Sequence, residues 1–250
     1  MSAKILFPSE SLTPYVEAYY LSSDLLQDNS APPFPAVSTS YIKLSSVTAV
    51  VSGPTTKPTV ADSEFDDLTG LGVKLRVGAF YTLFGIPACE LTNQVFGLDE
   101  ILGRTAIELI AQMAEETSPS GQVRCLEQTL RRFTQRDHPG EYLIEQQAVA
   151  AMRQLPATPI AQLAQELGYS SRQLQRKLND FVGLSPRLYK RICRFEKALA
   201  LIHAASSLKP IRWSALARAC GYSDQAHFIR DFHELAGCTP AQYLTSLSAN

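Results

Sequence analysis

A duplicated segment in the second half of the chain constrains its fold more than any other feature. Residues 163–170 read LAQELGYS and residues 216–223 read LARACGYS, so five of eight positions are identical at an offset of 53. After one inserted residue the similarity continues at an offset of 54, where Gly183-Leu184-Ser185-Pro186 aligns with Gly237-Cys238-Thr239-Pro240. This self-similarity indicates a duplicated supersecondary unit, present as a pair rather than as a solenoid.

The first copy has the pattern of two helices joined by a tight turn. Thr158 is predicted to cap a helix with Pro159 at its first position. Gly168 is predicted to end that helix, because glycine adopts a positive φ without a Cβ penalty. Ser170 and Gln173 then form a predicted capping box at the start of the second helix.

The second copy repeats this plan. A helix is predicted over Ser214 to Cys220, with Gly221 as the turn and Ser223 as the cap of the next helix. Two helices joined by a short turn with glycine are typical of a helix-turn-helix, whose second helix can enter the major groove of DNA. The pattern therefore favours DNA binding, with an ordinary helical bundle as the alternative.

The outward faces of the two second helices are polar. In the first, Ser171, Arg172, Gln175, Arg176 and Asn179 fall opposite the leucines, and arginine and glutamine suit guanine and adenine edges. In the second, Gln225, His227 and Arg230 point outward, while Asp224, Asp231 and Glu234 are expected to dilute the charge. We therefore expect the first unit to contribute more of the base recognition.

A long helix is predicted between the two units, over about Pro186 to Ala205. At ~1.5 Å per residue it is ~30 Å long, which is close to one ~34 Å turn of B-DNA. One side of it is basic, with Arg187, Lys190, Arg191, Arg194 and Lys197. Such cations suit phosphate contacts, which position a protein without specifying sequence.

The charge of the chain is unevenly divided. Residues 1–140 contain 10 Lys and Arg against 16 Asp and Glu, a net charge of −6, whereas residues 141–250 contain 13 against 8, a net charge of +5. The basic half is the candidate for a polyanionic partner.

Residues from about 141 to 247 resemble the DNA-binding domain of AraC-family transcription regulators. The resemblance rests on the duplicated segments, the basic connecting helix, and the strings Gly221-Tyr222-Ser223-Asp224-Gln225-Ala226-His227-Phe228 and Gly237-x-Thr239-Pro240-x-x-Tyr243. It implies two units on double-stranded promoter DNA. The implied base contacts are Arg172, Gln175, Arg176, Gln225, Ala226, His227 and Arg230. The expected phosphate contacts are Ser171, Lys190, Arg191 and Arg194.

The first 140 residues are predicted to form a separate effector or dimerisation domain, mostly β to about residue 90 and then a helical pair over 98–135. Strands are predicted at Tyr41 to Leu44, Val47 to Val51 and Val73 to Val77, and the helices at Leu98 to Ala114 and Gln122 to Phe133. With 136–140 as linker and 141–250 as an all-α domain, the expected class is α+β.

The run from Gly72 through Gly85–Leu91 resembles the sensor-type N-terminal domain of certain AraC-like regulators. This resemblance implies a small-molecule effector, with RNA polymerase and a second copy of the chain as further partners. No cofactor and no metal site are expected, since His138 is the only histidine before residue 141. The scattered, odd-numbered cysteines and the lack of a long apolar window favour a cytoplasmic protein with reduced thiols.

Catalytic motifs for hydrolases, P-loop enzymes and zinc proteases are absent from the sequence, so an enzyme is not expected. Zinc binding by Cys220, His227, His233 and Cys238 is disfavoured, because both cysteines replace small apolar positions of the repeat. The alternative function is a small-molecule-binding or redox-sensing protein that carries an accessory or vestigial helix-turn-helix domain. Activation and repression both stay open.

Overall fold

The computed structural model describes residues 4–22, 35–59, 70–134, 143, 146, 147, 149, 150, 159–205 and 211–249. Within these ranges the chain has the predicted α+β class, with an antiparallel sheet in its first half and helices in its second. Among the described helices, none combines the length and the apolarity needed to cross a membrane.

The sheet has six described strands in the order β1-β2-β5-β3-β4-β6, and every neighbouring pair is antiparallel. The strands are β1 (Lys4–Leu6), β2 (Val16–Ser22), β3 (Tyr41–Leu44), β4 (Ala49–Ser52), β5 (Gly70–Leu75) and β6 (Val95–Gly97). Leu71, Val73 and Leu75 of β5 are buried at alternate positions, because successive side chains point to opposite faces.

Two strands differ from the predicted bounds. The strand predicted at Val73 to Val77 is observed at Gly70–Leu75, as β5. It ends earlier than predicted because Gly78 adopts a φ of +84° and a helix begins at Ala79. The strand predicted from Val47 begins at Ala49, because Ser45 closes a turn by donating its backbone N–H to the carbonyl of Thr48.

The helices of the first half are α1 (Ala79–Phe84), α2 (Leu98–Leu102), α3 (Arg104–Glu115) and α4 (Pro119–Arg131), with short 3₁₀ turns at Glu10–Leu12 and Ala88–Leu91. The single helix predicted over Leu98 to Ala114 is interrupted at Gly103. Its φ of +55° and ψ of −131° are open only to glycine, so the helix stops there and α3 starts in a new direction.

The helices of the second half are α5 (Ile160–Glu166), α6 (Ser171–Val182), α7 (Pro186–Ala205), α8 (Trp213–Ala219), α9 (Gln225–Ala236) and α10 (Pro240–Ala249). The connecting helix α7 has the predicted bounds. Pro159 precedes α5 as its N-cap rather than occupying its first turn, and Thr158 lies outside the described residues.

Two apolar clusters form the core. One is built from residues 12–130 of the sheet and its helices, and the other from α5 to α10. Ala36 and Val77, from the first half, are buried in the second cluster. The two halves are therefore packed against one another, while the predicted linker at 136–140 lies outside the described residues.

Candidate nucleic-acid interface

Helix α6 is defined by local signals at both ends. The hydroxyl of Ser170 accepts from the backbone N–H of Gln173 at 3.3 Å, and the Gln173 side chain accepts from the Ser170 N–H at 3.0 Å. This is the predicted capping box, and Gly183 ends the helix with a φ of +81°. Leu174 and Leu178 are buried, so the polar face is turned to solvent.

A groove of about 780 Å³ lies between the polar face of α6 and the beginning of α7. It is lined by Pro159, Ile160, Arg172, Gln175, Arg176, Asn179, Ser185, Pro186, Arg187 and Lys190. Four of these side chains are cationic and none is acidic. Such a surface attracts a polyanion, because each cation that meets a phosphate releases condensed counterions.

The structure places Arg172, Gln175 and Arg176 together on the exposed face of α6. Their guanidinium and amide groups are the pairing groups for guanine O6/N7 and adenine N6/N7. Ser171 is half-buried in the first turn, where backbone N–H groups can meet a phosphate. Arg187 lines the same groove, although the sequence pattern indicates it only as one of several cations on the connecting helix.

Helix α9 is capped by Asp224 rather than by the predicted Ser223. The Asp224 carboxylate accepts from the backbone N–H of His227 at 2.7 Å, and this hydrogen bond holds the pKa of Asp224 below its usual value. The residue inserted in the second copy moves the start of the helix by one position. The Ser223 hydroxyl contacts the Asp224 carboxylate and the His227 ring instead.

The predicted base contacts of the second unit lie at the beginning and middle of α9. Gln225, Ala226 and Arg230 are exposed, whereas His227 is half-buried. The His227 ring packs edge-on against Tyr222 at 5.3 Å between centroids, and its Nδ1 lies 3.1 Å from the Ser223 hydroxyl. These two contacts restrict the orientation of the His227 ring.

The cations of α7 fall into two groups, one in the groove and one in contact with the second unit. Lys190 lies in the groove beside α6, half-buried, and this burial lowers its pKa. Arg191 instead forms ion pairs with Asp231 and Glu234 of α9. Arg194 lies over the Tyr222 ring, 5.1 Å from its centroid.

Arg191 and Arg194, both predicted as phosphate contacts, also contact other side chains of the protein. Both guanidinium groups are directed into the packing between α7 and the second unit, because carboxylates and an aromatic face lie within their reach there. Arg191 and Arg194 therefore each have a contact partner within the protein. Lys197 likewise donates to the carbonyl of Ala219 at 2.7 Å. Asp231, expected on the outer face, is buried.

The residues weighed as zinc ligands do not converge. Cys220 is buried within the apolar cluster, and burial raises the pKa of its thiol. Among the described residues, no three His, Cys, Asp or Glu side chains are grouped so that they could hold a metal ion.

Contacts between the sheet and the helix-turn-helix units form a seam that sequence patterning does not reveal. Ser38 donates to the Glu196 carboxylate of α7 from its backbone N–H at 2.8 Å and from its hydroxyl at 2.8 and 2.9 Å. The hydroxyl of Thr92 donates to the carbonyl of Gly183 at 2.6 Å, directly after α6. The seam therefore touches both the first unit and the connecting helix.

A cavity of about 390 Å³ opens at this seam. It is lined by Glu17, Pro35, Val37, Ser38, Thr39, Tyr41, Lys74, Glu196 and Leu199. Lys74 and Glu17 are paired at 2.8 Å. Burial, together with the charge of Glu196, raises the pKa of Tyr41. The lining mixes charged and hydroxyl groups with apolar side chains, and it contains residues of both halves.

Replacing Ser38 with alanine is expected to weaken the seam by about 1–3 kcal/mol, because the half-buried Glu196 loses a hydroxyl donor. Hydrogen exchange measured along β3 and the segment before it checks this, since opening of the seam exposes those amides. Ser214→Ala, at an exposed position, is the matched control. Equal exchange in both variants contradicts the assigned role.

Comparison with known proteins gives two matching families. Residues 163–246 match a family of helix-turn-helix domains, and residues 4–97 match a domain of unknown function, DUF6597. The fold and the matched segment define a DNA-binding helix-turn-helix protein. The matched segment contains two helix-turn-helix units joined by one long helix, in agreement with the resemblance to AraC-family transcription regulators.

Solved structures similar to this chain include a DNA-binding transcriptional dual regulator from Escherichia coli K-12, with 25% identity over 43% of this chain and 94% of that one, at a TM-score of 0.36. A probable AraC family transcriptional regulator from Rhodopseudomonas palustris CGA009 is 26% identical. The match covers 41% of this chain and 91% of that one, at a TM-score of 0.34. ToxT from Vibrio cholerae O395 is 10% identical. The match covers 88% of this chain and 93% of that one, at a TM-score of 0.44. No curated protein matches the chain.

Proposed function

We propose that the chain binds promoter DNA with α6 and α9 in two successive major grooves on one face of the duplex. The observation that carries this proposal is the acid-free groove that joins the exposed face of α6 to the first turn of α7. Helix α7 has 20 residues, and at ~1.5 Å per residue its length approaches one turn of B-DNA. It can therefore hold the two recognition helices one groove apart.

The proposed DNA contacts are assigned to side chains that are exposed or half-buried. Base recognition is assigned to Arg172, Gln175 and Arg176 of α6, and to Gln225, Ala226, His227 and Arg230 of α9. Phosphate contacts are assigned to Ser171, Lys190 and Arg187. Arg191 and Arg194 of α7 are the other predicted phosphate contacts, and a phosphate there has to compete with their contacts to the second unit.

The proposal includes control by a small molecule. Residues 1–140 are assigned the sensing role and residues 141–250 the DNA-binding role, and the seam connects them. The cavity at the seam supports this assignment, because a ligand held there touches the sheet and α7 together. A second copy of the chain and RNA polymerase are the further partners that we assign to this regulator.

Selection of genomic fragments by the purified full-length protein, at two salt concentrations, tests this function. We expect enrichment of an asymmetric site with two elements centred ~10 base pairs apart. The matched control replaces Arg172, Gln175 and Arg176 by alanine and is expected to lose the element that α6 recognises. Salt-labile background binding alone, identical in both proteins, contradicts the proposal and favours an accessory domain.

Replacing Lys190 with alanine is expected to weaken binding to all DNA sequences alike and to lower the salt slope of the affinity by ~1, because one phosphate contact is lost. Titrations at several salt concentrations, on specific and random duplexes, measure both quantities. Lys57→Ala, at an exposed position outside the groove, is the control. Loss of sequence discrimination with an unchanged slope rules out a phosphate contact.

A further inference from the structure

Asp231 occupies the inner face of the second recognition helix. It follows Arg230, which is exposed, but Asp231 itself is only 6% exposed. It lies three residues after Phe228 and one before Phe232, both fully buried, and so shares their face of α9. A carboxylate in this position requires partners, because an unpaired buried charge is strongly unfavourable.

Both oxygens of the Asp231 carboxylate are bound by other elements. The Nε of Arg191, from α7, donates to one oxygen, and the hydroxyl of Tyr222, from the turn between α8 and α9, donates to the other at 2.9 Å. Arg191 also donates to Glu234, one turn further along α9. The carboxylate thereby joins the connecting helix, the turn and the recognition helix at one point.

The electrostatics favour the protonated forms of the two donors, Tyr222 and Arg191. Burial, together with the charge of Asp231, raises the pKa of Tyr222, so its hydroxyl stays protonated and can donate. Burial opposes the charged form of Arg191, yet its bonds to Asp231 and Glu234 raise its pKa overall. Arg194 lies over the Tyr222 ring, so a second cation of α7 holds the same tyrosine.

Apolar packing alone leaves the rotation of α9 less restricted. The contact between α7 and α9 includes Phe195 and Phe232, whose ring centroids are 5.0 Å apart. Ring contacts set a distance between two helices, whereas directional hydrogen bonds to both carboxylate oxygens also restrict rotation about the helix axis. The ionic cluster therefore adds a directional restraint on the rotation of α9 to the apolar packing.

Among the described residues of the first unit, no buried carboxylate occupies the position equivalent to Asp231. At the offset of 54, the counterpart of Asp231 is Lys177, which lies over the ring of Tyr169 at 5.6 Å. The first recognition helix is instead bordered by the seam, where Thr92 binds the carbonyl of Gly183. Within the described part of the chain, attachment to α7 through a buried carboxylate is thus found in the second unit.

We propose that Asp231 is a positioning residue for DNA recognition, which fixes α9 on α7 and so sets the spacing at which the two DNA elements are read. This inference rests on the proposed function. The cluster of Asp231, Arg191 and Tyr222 holds the second recognition helix at one rotation relative to the first. Because B-DNA turns once in about 10–10.5 base pairs, each added or removed base pair rotates one element away from its helix.

The test measures affinity as a function of element spacing. Full-length protein is titrated with duplexes that carry the selected site, the same site with one or two base pairs added or removed between its elements, and the first element alone. We expect the unaltered protein to prefer one spacing. In Asp231→Asn and in Tyr222→Phe, which removes only the hydroxyl, that preference is expected to fall by roughly tenfold while affinity for the first element alone is kept.

Glu234→Gln is the control variant, because Glu234 also binds Arg191 but its side chain is 66% exposed and does not contact Tyr222. We expect it to keep the spacing preference. A spacing profile in Asp231→Asn equal to that of the unaltered protein overturns the proposal. So does an equal loss on all duplexes, including the single element, since that result reports damaged folding. If the unaltered protein selects no two-element site, the proposed function itself fails.

Discussion

Replacing Arg176 with alanine is expected to weaken specific DNA binding by about 1–3 kcal/mol, roughly 5- to 150-fold in Kd, and to relax the preference at one base pair. Arg176 is exposed in the middle of α6 and lines the acid-free groove. A guanidinium group in this position can donate two hydrogen bonds to one guanine, and alanine can donate none. Equilibrium titration and selection of bound sequences measure the two effects.

The control for Arg176 is another exposed arginine, Arg218 of α8, which lies outside the groove. Arg218→Ala removes the same charge, so it reports the general electrostatic contribution at matched salt concentration. We expect the sequence preference of Arg218→Ala to be unchanged. If Arg176→Ala gives the same affinity and the same preferred sequence as Arg218→Ala, Arg176 does not contact a base.

Replacing Phe228 with alanine is expected to lower the free energy of unfolding of the second unit by about 3–5 kcal/mol, because a fully buried aromatic ring leaves a cavity. The Phe228 ring packs against Trp213 at 6.3 Å, Tyr222 at 5.3 Å and Phe232 at 5.7 Å. Trp213 is the only tryptophan of the chain, so its fluorescence during urea denaturation reports on this unit.

Phe7→Ala is the matched control for Phe228, since the Phe7 side chain is 78% exposed. Its effect on the free energy of unfolding is expected to stay within about 0.5 kcal/mol, as for other surface positions. A similar small change in Phe228→Ala, followed by the same fluorescence, contradicts the packing described for α9. Loss of DNA binding without loss of stability also counts against it.

Much of the helix-turn-helix region could be predicted because its signals are local. The capping box of Ser170 and Gln173 and the left-handed turns at Gly168 and Gly221 depend on residues within one or two helical turns. The bounds of α7 agree with the sequence for the same reason. Repetition of the pattern at an offset of 53 or 54 strengthened each assignment, since both copies satisfy it.

The observed helix boundaries differ from the predicted ones where two local signals compete. Ser223 and Asp224 are adjacent and both can cap a helix, and the structure selects the carboxylate because it aligns with the N–H of His227. At Gly103 the apolar pattern of a helix continues on both sides, so periodicity alone predicts no interruption. The glycine itself was the available signal, because only glycine adopts that backbone conformation without strain.

The sequence position of Asp231 indicates a buried side chain, whereas its residue type indicates an exposed one. Its spacing of three residues from Phe228 places it on the buried stripe, but an aspartate is ordinarily assigned to the surface. A buried carboxylate is stable only with its partners, and Arg191 lies 40 residues earlier in the chain. Local periodicity carries no information about that distant pairing.

The sequence by itself determined the α+β class, the two helix-turn-helix units, the length of the helix between them and the exposed face of α6, because these follow from periodicity, caps and glycine turns. Only the tertiary structure decided which charged groups meet. Arg191 binds Asp231, and Ser38 binds Glu196 across 158 residues, because packing brings distant segments within hydrogen-bond distance. These long-range pairs determine how the recognition helices are held, since directional contacts between elements restrict their relative orientation.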